Sequence, residues 1–254
     1  MKIISMSAPG DKRVVIIIPG YNVAHVLSKT VAAIPPGTAD HVIVIDDCST
    51  DGTSLVASRL GLDVVRHPQN RGYGGAQKTG YKEAIRRGYE IVVMVHGDNQ
   101  YDPSYAPKFV SKIRDDGYDV VSGSRMILGD ALKNGMPLWK FIPNRLLTAL
   151  ENFVFQTHLT DYHNGFRAFS TDFLKRVPLD RLSDKFDFDS DIIIQAAIRK
   201  AKIAEIPHPT RYEDENSQMP FSQGVQYGLS ILAKVCKYLL HWTGIKRDAL
   251  FAEN

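Results

Sequence analysis

An α/β fold with a mostly parallel sheet, covered by helices on both faces, follows from two features of the sequence. First, Arg13–Pro19, His41–Asp47 and the run from Ile91 are almost continuously apolar and rich in Val and Ile. Strands buried on both faces read this way, whereas a strand with one wet face alternates. Second, segments with helical spacing separate these runs throughout the first half of the chain. Strand–helix alternation calls for right-handed crossovers between parallel strands.

Taken in order, Arg13–Pro19 is a first strand, ended by Pro19-Gly20-Tyr21-Asn22. Ala24 to Ala33 is a helix that stops at Pro35-Pro36-Gly37. His41 to Asp47 is a second strand, and Ser49-Thr50-Asp51-Gly52-Thr53 supplies turn and cap chemistry for a helix to about Leu60. Leu62 to Arg66 is a short third strand. His67 to Gly75 reads as a Gly-rich loop that opens a helix to Arg87, and the strand from Ile91 ends in His96-Gly97-Asp98-Asn99-Gln100. A helix (Tyr105 to Asp115) and a strand (Asp119 to Arg125) follow. From Leu128 to about Gln156 the pattern turns to longer, amphipathic, aromatic segments. Strand-like Phe166 to Phe169, a helix from Phe188 to Arg199, a short strand Ile203 to Ile206, a polar stretch 208–223 and a final helix Val225 to Trp242 complete the chain. The expected organisation is a main domain over 1–220, with a nucleotide-binding part at about 13–125 and an acceptor part at about 126–220, followed by a C-terminal helix and tail at 221–254.

At 254 residues, with 44% hydrophobic and 23% charged residues, the chain is an ordinary globular protein able to bury one large core. A net charge of +3 suits anionic small ligands or an acidic membrane surface and makes no demand for nucleic acid. Cys48 and Cys236 form no disulfide framework, the first eleven residues lack a signal-peptide apolar core, and no run reaches the roughly 18 apolar residues of a membrane span. The expected location is cytoplasmic, with peripheral contact to a membrane or a membrane partner.

Three of the strands end in polar clusters: Pro19-Gly20-Tyr21-Asn22, Asp46-Asp47 and His96-Gly97-Asp98. In a parallel sheet these ends share one edge, where open α/β sheets bind ligands. Asp98 and Asp102 either cap the next helix or hold a cation, since a bare buried carboxylate costs several kcal/mol. A site offering an Asp98 oxygen, a His96 nitrogen, water and phosphate oxygens suits Mg²⁺ or Mn²⁺. His67, Asn70 and Arg71 lie on a Gly-rich loop that matches no dinucleotide or Walker fingerprint. Asp187, Asp189 and Asp191 alternate at a helix start, where acids favour the dipole.

The order of these pieces resembles glycosyltransferase family 2 with the GT-A (Rossmann-like) fold, and within it the dolichyl/polyprenyl-phosphate sugar synthase branch. The resemblance rests on Pro19-Gly20-Tyr21-Asn22, Asp46-Asp47-Cys48-Ser49-Thr50-Asp51, Asn70-Arg71-Gly72, Gly97-Asp98-Asn99-Gln100 and Gly123-Ser124-Arg125. Asn164-Gly165-Phe166-Arg167, Arg211-Tyr212 and Ser217 continue it. It implies that Pro19, Tyr21 and Asn22 line a nucleobase pocket with Asp46, that Asp47 receives the base edge, and that Arg71 lies near the nucleotide. It further implies that Asp98, the second acid of the family's Asp-x-Asp with His96 in the first acidic place, binds metal and diphosphate. Gln100 would place the donor, Arg125 would meet phosphate, and Arg211 would close over the donor from a flexible segment. Val23 and His96 stand where the family carries acids.

The implied activity is inverting transfer of a sugar from a nucleotide-diphosphate donor to an acceptor, a polyprenyl phosphate first of all. A hydroxyl acceptor would need a carboxylate base such as Asp161 or Asp189. The alternatives are a sugar-nucleotide binding protein without turnover and a nucleotidyltransferase, which would want an Arg-containing Gly-rich loop after the first strand. In the last helix, Val225, Leu229, Leu232, Val235, Cys236 and Leu239 form an apolar stripe expected to dock on the core. Ile231, Tyr238 and Trp242 form a second edge, and Lys234, Lys237 and His241 fall on another face with Lys246 and Arg247 just beyond; this side is either a solvated basic surface or rests on an anionic membrane.

Overall fold

The computed structural model describes residues 13–209 and 220–252. Seven strands form one sheet in the order β3-β2-β1-β4-β6-β5-β7. These are β1 (Val14–Gly20), β2 (His41–Asp46), β3 (Asp63–Arg66), β4 (Ile91–Met94), β5 (Val120–Ser124), β6 (Arg167–Ser170) and β7 (Ile203–Pro207). β1, β2, β3 and β4 pair in parallel, as do β5 and β7, and β6 runs antiparallel between β4 and β5. The fold class expected from the sequence is the one observed.

Side-chain alternation along the inner strands splits the core into two layers. Ile16, Ile18, Val42, Val44 and Val93 pack on one face with Leu27 of α1 (Ala24–Ala32), Ala57 of α2 (Thr53–Arg59) and Phe109. Val15, Ile17, Ile43, Ile45, Val92 and Met94 pack on the other with Tyr81 of α3 (Gly72–Arg86). Both faces are dry, which is why these strands carry no polar alternation. Phe109 lies on α4 (Ala106–Arg114). A third cluster, Phe155, Ile194, Val235 and Phe251, joins α5 (Leu138–Phe155), α7 (Phe188–Ile198) and α8 (Phe221–Trp242). α6 (Thr171–Arg176) packs on the second face through Phe173.

Three local expectations change. α3 begins at Gly72, so Gly74 and Gly75 lie in its first turn and not in a loop. The helix start is pressed against residues 183–184: a Cβ on Gly74 would stand 2.4 Å from the Ser183 carbonyl oxygen, and Gly74 N–H donates to the Asp184 carbonyl at 2.8 Å. α8 begins at Phe221, four residues early, and its docking face lies between the two expected edges: Ile231 of the second edge and Val235 of the stripe are buried, while Val225, Leu229, Leu232, Leu239 and Trp242 are exposed. Lys234 does not face outward, because its ammonium pairs with Asp187 (2.8 Å) and Asp191 (2.7 Å) of the α7 start. Of the stretch 208–223, His208 is buried. Arg211, Tyr212 and Ser217 lie outside the described residues.

Candidate active site

The carboxyl ends of β1, β2 and β4 lie side by side, and just beyond each the chain turns through a left-handed residue: Asn22 (φ 55°), Cys48 (φ 67°) and Asn99 (φ 57°). Asn tolerates this conformation; for Cys it is uncommon, and such positions cluster where backbone must be aimed at a ligand. A cavity of about 1110 Å³ opens over this edge. Its polar end is bordered by Pro19, Tyr21, Asp47, His96, Asp98 and Gln100. It continues between α5 and α8, where Trp139, Leu146, Phe221 and Leu229 are among the lining residues.

Asp47 is buried, and its carboxylate is bound from within the chain. Oδ1 meets His67 Nδ1 at 2.6 Å and accepts Arg71 N–H at 2.8 Å, and Oδ2 accepts Gly72 N–H at 2.8 Å. These are the free N–H groups at the start of α3, so Asp47 caps that helix while bordering the cavity. Asp98 also borders the cavity; its Oδ1 accepts Gln100 N–H at 3.0 Å. Asp102 is the cap of the next turn, accepting Ser104 N–H at 3.0 Å.

His96, Tyr73 and Asp189 form a line along one wall. The Tyr73 hydroxyl donates to Asp189 Oδ2 at 2.9 Å, so its oxygen accepts from His96 Nε2 at 3.1 Å. Nε2 therefore carries a hydrogen and does not ligate metal in this arrangement. Burial holds the imidazole below its ordinary pKa, against the pull of Asp98 and Asp189. Burial, with Asp189 beside it, pushes the Tyr73 phenol well above its usual value. Tyr73 also stacks on Phe186 at 5.1 Å. Among the described residues no three His, Cys, Asp or Glu side chains converge as a metal-binding group. Asp98 alone fits an ion that takes its remaining oxygens from phosphate and water.

Four expected site residues fall elsewhere. Asp46 is fully buried, accepts Ser49 N–H at 2.8 Å and is hydrogen-bonded by Ser54, so it holds the β2–α2 turn and does not border the cavity. Burial alone would raise its pKa; the hydrogen bonds from Ser49 and Ser54 bring it below the usual value. Asn22 ties two turns together, its Oδ1 accepting Thr50 N–H at 2.9 Å. Arg71 reaches Asp47 through its backbone, with its side chain exposed. Asp161 is fully buried and is no candidate base: Arg125 Nε and Nη2 hold its two oxygens at 2.6 and 2.8 Å, and Asn144 adds 2.9 Å. Those partners overcome the burial that would raise its pKa and hold it far below the ordinary value.

Arg125 borders the cavity, and Asp161 with the His163 carbonyl (3.0 Å from Nη2) fixes the direction of its guanidinium. Lys140 of α5 borders the same cavity, and burial, reinforced by Arg125, holds its ammonium below the usual pKa. Sequence reasoning missed Lys140 because one Lys on an amphipathic helix carries no local signal. It missed Tyr73 because the residue sat in an apparent loop. Arg167, from the Asn-Gly-Phe-Arg motif, is fully buried and orients Asp189, pairing with its Oδ1 at 3.6 Å.

Residues 15–177 match the sequence profile of glycosyl transferase family 2. The chain belongs to that family. It is 34% identical over 220 residues to an uncharacterised protein of Methanocaldococcus jannaschii, spanning 87% of this chain and 89% of that one. It is 30% identical over 221 residues to a UDP-N-acetylglucosamine–dolichyl-phosphate N-acetylglucosaminyltransferase of Methanococcus voltae, covering 80% and 88%. Among solved structures, glucosyl-3-phosphoglycerate synthase of Mycobacterium tuberculosis, in complex with Mn²⁺, UDP-glucose and phosphoglyceric acid, superposes with a TM-score of 0.70 at 20% identity, covering 89% of this chain and 80% of that one. That likeness establishes the GT-A fold. As a family 2 member this chain is a nucleotide-sugar-dependent glycosyltransferase.

Proposed function

We propose that the protein transfers a sugar from a nucleotide diphosphate to a polyprenyl phosphate, with inversion at the anomeric carbon. The observation that carries this reading is the continuity of one cavity from the polar strand ends to an apolar groove between α5 and α8, with Arg125 and Lys140 both on its wall. A water-soluble acceptor has no use for Leu146, Phe221 and Leu229; a prenyl chain does. The relative from Methanococcus voltae, which acts on dolichyl phosphate, supports the same acceptor class.

Pro19 and Tyr21 would flank the base, and Asp47 would hold the α3 start against the nucleotide as well as meeting the base edge. Gln100 would help place the donor. Asp98 would hold Mg²⁺ or Mn²⁺, which when bound offsets charge on the departing diphosphate. Arg125 and Lys140 would attract the acceptor phosphate by their charge, the first from a guanidinium fixed by Asp161 and the second as a point charge. One acceptor oxygen attacks the anomeric carbon, the bond to the nucleotide diphosphate breaks, and the configuration inverts. The attacking oxygen is already anionic, so no side chain need remove a proton. This agrees with the engagement of Asp161 by Arg125.

No helix among the described residues is long and apolar enough to cross a membrane. The outer edges of α5 and α8 nevertheless expose Leu138, Phe153, Leu229 and Trp242, with Phe153 at 77% and Trp242 at 74%. We read this surface, with exposed Lys237, Lys246 and Arg247 beside it, as the contact with the bilayer that holds the acceptor. Incubating the protein with a panel of nucleotide sugars, a short polyprenyl phosphate and Mn²⁺ tests the reading. A glycosylated prenyl phosphate is the expected product, and transfer only to saccharide hydroxyls would replace the lipid acceptor.

A further inference from the structure

Glu151 of α5 is fully buried, and neither carboxylate oxygen has a hydrogen bond of ordinary geometry. The groups facing it are the Ser190 hydroxyl of α7 and His163 Nε2 at 3.3 Å, and that nitrogen also lacks a hydrogen bond of ordinary geometry. On the other side of the ring, Nδ1 meets the Tyr227 hydroxyl at 2.9 Å, which meets Ser190 Oγ at 3.1 Å. His163 and Tyr227 border the cavity. The chain of contacts thus joins α5, the segment before β6, α8 and α7 behind the acceptor groove.

The pair could be carboxylate with imidazolium, or neutral acid with neutral imidazole. The surrounding charges favour the second. Arg167 of β6 is matched by Asp189 of α7, Lys234 of α8 by Asp187 and Asp191 of α7, and Arg125 after β5 by Asp161. No cation is dedicated to Glu151, and in a dry contact the uncharged pair costs less. Burial pushes Glu151 up to about 8, against the pull of Arg167, Lys234 and the Ser190 hydroxyl, and brings His163 down to about 3.

We propose that Glu151 is a positioning residue for the acceptor side of the cavity: as a neutral acid it donates to His163 Nε2, fixing the Nδ1–H tautomer that donates to Tyr227 and pins α8 against the core. This rests on the reading of the α5–α8 groove as the acceptor site. When Glu151 loses its proton, an anionic oxygen faces the Nε2 lone pair, the ring turns or changes tautomer, and Tyr227 loses its donor. The groove wall is held at neutral pH and released as pH rises through the Glu151 transition.

The test is acceptor KM and nucleotide-sugar KM, measured with farnesyl phosphate from about pH 6.5 to 9.5 for wild type, Glu151→Gln and Glu151→Met. In wild type the acceptor KM rises about tenfold by one unit above the transition, the titration of one proton, while the donor KM stays flat. Gln, which keeps a donor, holds the acceptor KM low with no rise; Met, of similar volume without a donor, raises it at every pH. Nitrogen-15 spectra of the histidines, taken without substrates, show a neutral Nδ1–H ring for His163 at pH 7 in wild type and Gln. Identical pH profiles for wild type and Gln, a Met variant that behaves like Gln, or an imidazolium at His163 would each overturn the proposal. Absence of transfer to any prenyl phosphate would instead sink the acceptor reading, and the nitrogen spectra would still decide the proton on Glu151.

Discussion

Replacing Asp161 by Asn separates a structural carboxylate from a catalytic one. Asp161 is fully buried and holds an Arg125 side chain that is 14% exposed, through two hydrogen bonds of 2.6 and 2.8 Å. Breaking a buried pair by removing one charge costs about 3–5 kcal/mol. Arg125 borders the cavity and Asn keeps one acceptor, so the lower end, about 3 kcal/mol, is the expected loss. For a chain of this size that corresponds to a melting point lower by roughly 6–12 °C. The pH dependence has a fixed sign. The folded-state pKa lies below the ordinary 3.8, so the stabilisation is present above that value and is lost as pH falls through the lower folded-state value. Urea unfolding of wild type and Asp161→Asn at neutral pH and near pH 3 reads both effects: a gap of about 3 kcal/mol that narrows in acid. Equal stability at neutral pH, together with selective loss of transfer to a hydroxyl acceptor, would refute this account and restore Asp161 as a base.

Three other substitutions give distinct outcomes. Asp98→Asn, in a partly exposed turn with one local hydrogen bond, should abolish transfer and leave the melting temperature within a few degrees; near-native turnover with Mn²⁺ would remove Asp98 from the metal site. Asp47→Ala should weaken nucleotide diphosphate binding by about 1–3 kcal/mol in calorimetry, because it frees the Arg71 and Gly72 N–H groups as well as the base edge. Lys140→Ala should raise the acceptor KM and leave the donor KM unchanged, a split that steady-state kinetics resolves. Sedimentation with acidic vesicles at low salt should carry down wild type but not a Leu229→Asp, Lys237→Glu, Lys246→Glu variant; equal sedimentation would place the membrane contact on another face.

The sheet was legible because its strands are dry on both faces and need no partner to be recognised: β1, β2 and the run at Ile91 stand out by composition alone. The strand-end cluster was legible for the same topological reason, since parallel strands deliver their carboxyl ends to one edge. What single residues do there was less so. Asp46 and Asp47 are identical in type and adjacent, yet one closes a turn beneath the sheet edge and the other caps α3, a difference set by Ser49, Ser54, His67 and the α3 start. Asp161 read as a possible base because its partner Arg125 lies 36 residues away in sequence. The docking face of α8 was only half legible because both of its edges are apolar: Val235 of the expected stripe is buried, but with Ile231 of the other edge, and only the position of α7, with Asp187 and Asp191 reaching Lys234, selects that face.

The central claim, that one cavity brings a nucleotide sugar to a prenyl phosphate, is tested most directly by phosphorus NMR of the complete reaction with farnesyl phosphate. The account predicts one nucleoside diphosphate released for each sugar phosphodiester formed. Both signals should disappear together in Asp98→Asn and be absent without the lipid. Nucleoside diphosphate released at the same rate with no prenyl phosphate present, and no phosphodiester formed with it, would contradict the claim.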